Sequence, residues 1–246
     1  ASLAESRKTQ NLREGLLASV HRIQAAGIEV MAGMIVGFDH DDATIFDEQL
    51  HFLEEARIPV SMTGMLNAVP RTPLHERLAR AGRLVADDVG DQFVFTNIVP
   101  AGMSRAELFA GYRRLLARLY GYGAFRRRAR ALLFARGDRP GAAAAIRRED
   151  LLLFGRILRD CVLRASPRRA GMTLALLGET LLRRPAAFRD AVSLALLHKH
   201  LYEYTRDLGG RLDALVAGMG AEPATSAASG VRAARRWRRR IRSSGG

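Results

Sequence analysis

The chain has 246 residues, 48% of them apolar, enough for one large domain or two modest ones. No apolar run approaches the roughly 18 residues that cross a bilayer, so a soluble protein is expected. A single cysteine, Cys161, excludes an intrachain disulfide framework and a cysteine-rich metal site, and makes the cytoplasm the default compartment.

The formal net charge of +14 is unevenly placed. Residues 1–100 carry 9 Lys/Arg against 14 Asp/Glu, and residues 101–230 carry 23 against 11. Residues 231–246 carry 7 Arg and no acid. The asymmetry marks at least two physically different regions.

The first predicted element is a helix with Leu12, Leu16, Leu17, Val20 and Ile23 on one face, stopped by Gly27 in the left-handed region. A strand follows over Ile28–Gly37, apolar on both faces as in a parallel sheet covered by helices. Asp41 or Asp42 can cap the next helix, in which Ile45, Phe46, Gln49, Leu50 and Leu53 keep helical spacing. Pro59 precedes a second strand, Val60–Leu66, which begins 31 residues after Glu29, the length of a βαβ unit. Thr72 and Pro73 form an N-cap and N1 pair for a short helix that Gly82 closes.

Beyond Asp87, Gln92–Pro100 reads as one more extended segment, and Ser104-Arg-Ala-Glu107 is a capping box that opens a helix through Leu108, Leu115, Leu116 and Leu119. Further helical stretches follow, punctuated between Gly137 and Gly141, at Pro167 and at Pro185. The domain expectation is therefore an α/β unit over 1–86, a mainly helical unit over 87–222, and an Arg-rich disordered tail over 223–246. In parallel α/β folds ligands gather at the carboxyl ends of strands. The Gly37–Asp42 and Asn67–Leu74 turns are thus where the chemistry is sought.

Three landmarks carry a family resemblance: Glu5-Ser-Arg-Lys-Thr-Gln-Asn11, then Gly33-Met-Ile-Val-Gly-Phe-Asp39, then Leu66-Asn-Ala-Val-Pro-Arg-Thr-Pro-Leu74. In order and spacing they resemble radical S-adenosylmethionine (SAM) enzymes of the group with an upstream cobalamin-binding domain and an uncharacterised helical C-terminal domain. Phe95-Thr-Asn-Ile-Val-Pro100, Leu108-Phe-Ala-Gly-Tyr112 and Leu119-Tyr120 are similar to that C-terminal domain. The resemblance covers about residues 1–135.

The resemblance implies the last two strands of a partial TIM-type (β/α)6 barrel followed by the helical domain, helix-dominated overall. It implies SAM across the strand ends, with Ile35 and Gly37 packing against adenine and Leu66 and Asn67 presenting backbone groups to its edge. Lys8 and Gln10 would lie near the ribose or carboxylate, and Asp39 near the amino or ribose groups. The implied activity is a 5′-deoxyadenosyl radical used for methyl transfer or another C–H modification, with cobalamin from the upstream domain. The three-cysteine loop that holds the [4Fe–4S] cluster is absent, and one Cys cannot replace it. An N-terminally truncated chain, inactive alone, with its catalytic residues before Ala1 is therefore expected. The substrate, a small molecule or a lipid, is not readable.

The remaining polar clusters have bland readings. Asp39-His-Asp-Asp42 holds ligand-type groups, but contiguous residues rarely converge on one ion, and no metal site is expected. His198 and His200 do not share a helical face, so solvated or core-edge roles are expected. Tyr112, Tyr120 and Tyr122 fit helix packing before a substrate-lining role. Cys161 fits a small buried hydrophobe. Arg232–Arg242, with Trp237, is a solvated tail or a peripheral contact with an anionic membrane; nucleic acid is the least favoured partner. A non-catalytic module that binds membrane or nucleic acid through this basic region is the alternative to the enzyme.

Overall fold

In the computed structural model, residues 15–86, 91, 93–136, 154–155 and 158–219 are described. Lys8, Gln10, Leu12, Gln92, the Gly137–Gly141 stretch, the segment from Glu222 and Arg232–Arg242 lie outside the described residues.

Helix α1 (Leu16–Ala25) leads into β1 (Ala32–Val36), α2 (Ile45–Glu55), β2 (Ser61–Met65) and α3 (Pro73–Arg80). The expected punctuation holds, because each signal acts within its own turn. Gly27 and Gly82 have positive φ, and the Thr72 side chain accepts from the His75 N–H with Pro73 at N1. The two strands pair in parallel with Ala32 opposite Ser61 and Val36 opposite Met65, connected through α2.

The helical part continues with α4 (Arg105–Leu119), α5 (Tyr122–Ala135), a π-turn at Arg159–Leu163, α6 (Pro167–Arg183), a 3₁₀ turn at Pro185–Ala187 and α7 (Phe188–Met219). The Ser104–Glu107 capping box forms in full. Pro167 sits behind the Ser166 cap, and Cys161 is buried in the π-turn. The chain is helix-dominated around a small two-stranded sheet. One hydrophobic core runs from Val20 through Leu53, Phe109 and Leu133 to Leu212, so the sheet and the helical part share an interior.

Three expectations are corrected. The first strand is not covered on both faces: exposure alternates along β1, and Ile28, Met31, Ile35 and Met62 remain exposed. Helices back only the side of Ala32, Met34 and Val36. In α1 the buried face centres on Val20 and Gln24, while Ile23 is exposed, because the Gln24 amide donates to the Ala56 carbonyl at 2.9 Å. The extended segment expected over Gln92–Pro100 begins later than expected: the chain turns at Phe93–Val94, and only then does Ile98 make an antiparallel bridge to Leu84.

Candidate functional site

The carboxyl ends of β1 and β2 bring together five of the seven predicted ligand residues: Ile35, Gly37, Asp39, Leu66 and Asn67. Backbone alternation sets what each offers. Ala32 N–H donates to Val60 and Leu66 N–H to Val36, so even-numbered residues of β1 bond β2. The odd-numbered residues face the outer edge. There the Ile35 carbonyl accepts from Gln49 Nε2 at 2.9 Å, whereas the Ile35 N–H and both backbone groups of Gly33 meet no described partner.

Ile35 pairs in register with Gly64, and Gly33 with Met62. On the face away from the helices, each large side chain therefore stands beside a glycine. Ile35 is 40% exposed there, while Gly64 beside it is buried.

Gly37 turns at φ 103°, and a Cβ at this position would press on Leu108 Cδ2 at 3.3 Å. Its N–H and that of Phe38 donate to Asp41 Oδ2 at 2.8 and 3.0 Å. Asp41 therefore caps the strand-end turn rather than α2. Thr44 occupies the α2 N-cap position, while Asp42 Oδ1 accepts from the Thr44 N–H and hydroxyl at 2.7 and 2.6 Å. The carboxylate choice went to the turn because two adjacent N–H groups point there.

Asp39 is held by Arg77 and by Arg83, the latter at 2.7 Å. Burial opposes its ionisation, but the hydrogen bonds and charges of the two guanidiniums prevail and hold the carboxyl below its ordinary range. Both its oxygens are thus engaged by α3 and the turn after it. The side chain is a strut between strand end and helix.

Leu66 and Asn67 are engaged in the same way. The Leu66 N–H donates to Val36 and its carbonyl accepts from Thr96 Oγ1 at 2.5 Å. The Asn67 amide donates to Phe95 O at 3.1 Å and accepts from Asn97 N–H at 2.9 Å. Asn97 answers reciprocally, accepting from Ala68 N–H and donating to Ala68 O, both at 2.8 Å. Two asparagines thus lace the β2 end to residues 95–97 as a strand would. Beneath the lacing, Leu66, Ala68, Leu78 and Ile98 form a small second core.

Sequence reasoning missed Thr96, Asn97, Asp41 as a turn cap, and the Arg77–Arg83 clamp. One signal was available: a polar Thr-Asn pair inside the apolar run Phe93–Val99 demands partners when buried, and both residues are fully buried. Among the described residues no group of three His, Cys, Asp or Glu is placed to hold a metal ion. Elsewhere, His198 is fully buried rather than solvated or at the core edge; its ring donates to Tyr120 O at 2.9 Å and packs on Phe125, while His200 is exposed. No described helix is long and apolar enough to cross a membrane.

The family described as Domain of unknown function (DUF4070) matches residues 72–213, more than half of the chain. Hopanoid C-2 methylase of Rhodopseudomonas palustris (strain TIE-1) is 39% identical over 87 residues, 35% of this chain and 16% of that protein. An uncharacterized methyltransferase, sll1242, of Synechocystis sp. (strain ATCC 27184 / PCC 6803 / Kazusa) is 39% identical over 101 residues, 40% of this chain and 19% of that protein. The chain thus spans under a fifth of the length of these relatives through the matched region. No solved structure matches at a significant level. The chain belongs to the DUF4070 family, and its resemblance to radical SAM enzymes of the cobalamin-associated group holds.

Proposed function

We propose that this chain is part of a radical SAM methylase, with β1 and β2 as the last strands of a partial (β/α)6 barrel and the helical part packed behind them. The observation that carries this reading is the open outer edge of β1. Among the described residues, backbone groups of Gly33 and Ile35 find no partner beside an exposed apolar face, and parallel sheets are normally wider than two strands. Further strands of a longer protein would cover that edge.

SAM would lie on the inner face with its adenine against the half-exposed Ile35. Gly37 would keep the strand end free of side chain, as its φ and the nearby Leu108 require. Asp39 would act by holding the rim, since its carboxylate is engaged by Arg77 and Arg83, and the Leu66 backbone is engaged by Val36 and Thr96. Asn67, its side chain held by Phe95 and Asn97, would present its own backbone groups to the adenine edge. Lys8 and Gln10 remain proposed contacts. The [4Fe–4S] cluster does not fit this chain's residues, because ligation needs several thiolates and the single Cys161 is buried in the helical part. Cluster ligands, and cobalamin where used, belong to the remainder of the longer protein. Methyl transfer is the chemistry that the two relatives' names support.

The test is SAM binding by the longer, cluster-loaded protein, compared with its Ile35→Glu variant. A charged side chain against adenine should weaken SAM binding at least tenfold while leaving thermal unfolding nearly unchanged, since position 35 is already half open. Unchanged SAM affinity would overturn the placement, and absence of SAM binding by the parent protein would overturn the function.

A further inference from the structure

Helix α6 is apolar on both sides. Its inner side, with Met172, Thr173, Leu176, Leu177 and Thr180, is buried against the neighbouring helices. At 100° per residue, Gly171, Leu174, Ala175, Gly178, Leu181 and Leu182 share the opposite side. Leu174 and Leu181 are each 52% exposed, and Leu182 is 84% exposed. Leu163, three residues ahead of the Ser166 cap, is 80% exposed. A helix that is apolar all round is normally covered on every side, and a contiguous exposed apolar surface marks a contact site.

The charges around this face select its occupant. Arg164 and Arg168, at the N-terminal end of α6, are exposed and make no ion pair within contact distance among the described residues, although the charge of Arg164 is felt by Asp160. The nearby acids are committed: Glu179 to Arg126, Arg130 and Arg183, Asp160 to Arg159, and Asp190 to Arg136. A second copy docked on this face would set a cationic rim against a cationic rim, with no uncommitted carboxylate among the described residues around it to meet it. The Arg-rich stretch 232–242 of the chain itself carries the same sign. An anionic bilayer complements both features, because leucines can enter the acyl boundary while arginines meet lipid phosphates. We propose that the outer face of α6 is a peripheral docking surface for an anionic membrane. The proposal is independent of the SAM site.

The experiment is co-sedimentation of the full chain with vesicles of phosphatidylcholine alone or mixed with phosphatidylglycerol. The variants are Leu174→Gln/Leu181→Gln/Leu182→Gln and Arg164→Gln/Arg168→Gln, each checked for native circular dichroism. The parent chain should bind the anionic vesicles only. The triple leucine variant should lose about tenfold or more in partitioning, from lost apolar burial, and the double arginine variant should lose several-fold. In addition, Leu182→Cys carrying an environment-sensitive fluorophore should shift to the blue on anionic vesicles; Cys161 is buried and will not compete for label. Equal binding by the triple variant, or a label that stays aqueous on bound vesicles, would assign adhesion to the basic tail and overturn the proposal. Self-association of the parent chain abolished by the leucine changes would overturn it in favour of a second copy.

Discussion

The Tyr112 hydroxyl donates to the carbonyl oxygen of Thr63 at 2.8 Å. Eight residues on, the Tyr120 hydroxyl donates to Ser61 O at 2.5 Å and accepts from Ser61 N–H at 3.2 Å. By strand alternation these groups of β2 point away from β1. Two tyrosines, one midway along α4 and one at its C-cap, therefore close the outer edge of β2, satisfying backbone groups that another strand would otherwise take. Burial pushes both phenols up, so they remain protonated donors at all ordinary pH.

Removing either hydroxyl leaves buried backbone unsatisfied. Tyr112→Phe and Tyr120→Phe should each lower unfolding free energy by about 1–3 kcal/mol, with the larger loss at Tyr120, which makes two bonds. Urea unfolding of the single and double variants measures this. Neutral substitutions would mean that the edge is sealed by packing alone.

Gly111 on α4 lies against the Phe46 ring of α2, and a Cβ there would overlap the ring outright. Gly111→Ala should cost about 1–3 kcal/mol through overpacking. Adding Phe46→Leu should recover part of the loss, because the smaller side chain vacates the contact. A double variant no more stable than Gly111→Ala would refute the lock between α2 and α4.

Asn97 carries both hydrogen bonds to Ala68, and its backbone N–H meets Asn67. Asn97→Leu should strand the Ala68 N–H and carbonyl, at a cost of about 2–4 kcal/mol for two unsatisfied buried groups. Amide hydrogen exchange should accelerate at 66–68 before it does in α4. Uniform acceleration across the chain would point to global loss and away from a local lacing of the β2 end.

His198 is neutral, with its Nε2–H on Tyr120 O. Burial pushes its pKa down to about 4 from an ordinary 6.5, helped by the charges of Arg169 and Arg128, against the pull of the Tyr120 carbonyl. The folded value lies below the unfolded one, so the unfolded chain takes up the proton first. The stability is complete above about pH 6.5 and is lost as pH falls toward 4, by on the order of 3 kcal/mol. His198→Gln, which can keep the donor but cannot titrate, should show a flatter fall over that range in urea unfolding. Parallel curves would remove His198 from the acid response.

Helix signals were legible wherever cause and effect lie within one turn. Thr72-Pro73, Gly82 and Ser104–Glu107 act within four residues, and Phe46, Gln49, Leu50 and Leu53 follow a 3.6-residue period. The two strands were legible as well, but not which face of β1 is covered, because that depends on the helices behind it. Asp41 shows the ambiguity directly. A carboxylate in that loop could serve the helix start or the strand end, and only the folded turn presents Gly37 and Phe38 N–H groups to it.

The pair of strand ends at the Gly37 and Asn67 turns was thus determined locally, as two strands joined through one helix. What tertiary structure decided is which polar groups remain free there. Asp39 meets Arg77 and Arg83, Asn67 meets residues 95–97, and Tyr112 and Tyr120 reach β2, each across 28 residues or more of chain. Partners so distant in sequence leave no periodicity or cap motif, because each is selected by burial: a polar group removed from water takes whichever partner the packed core brings within reach.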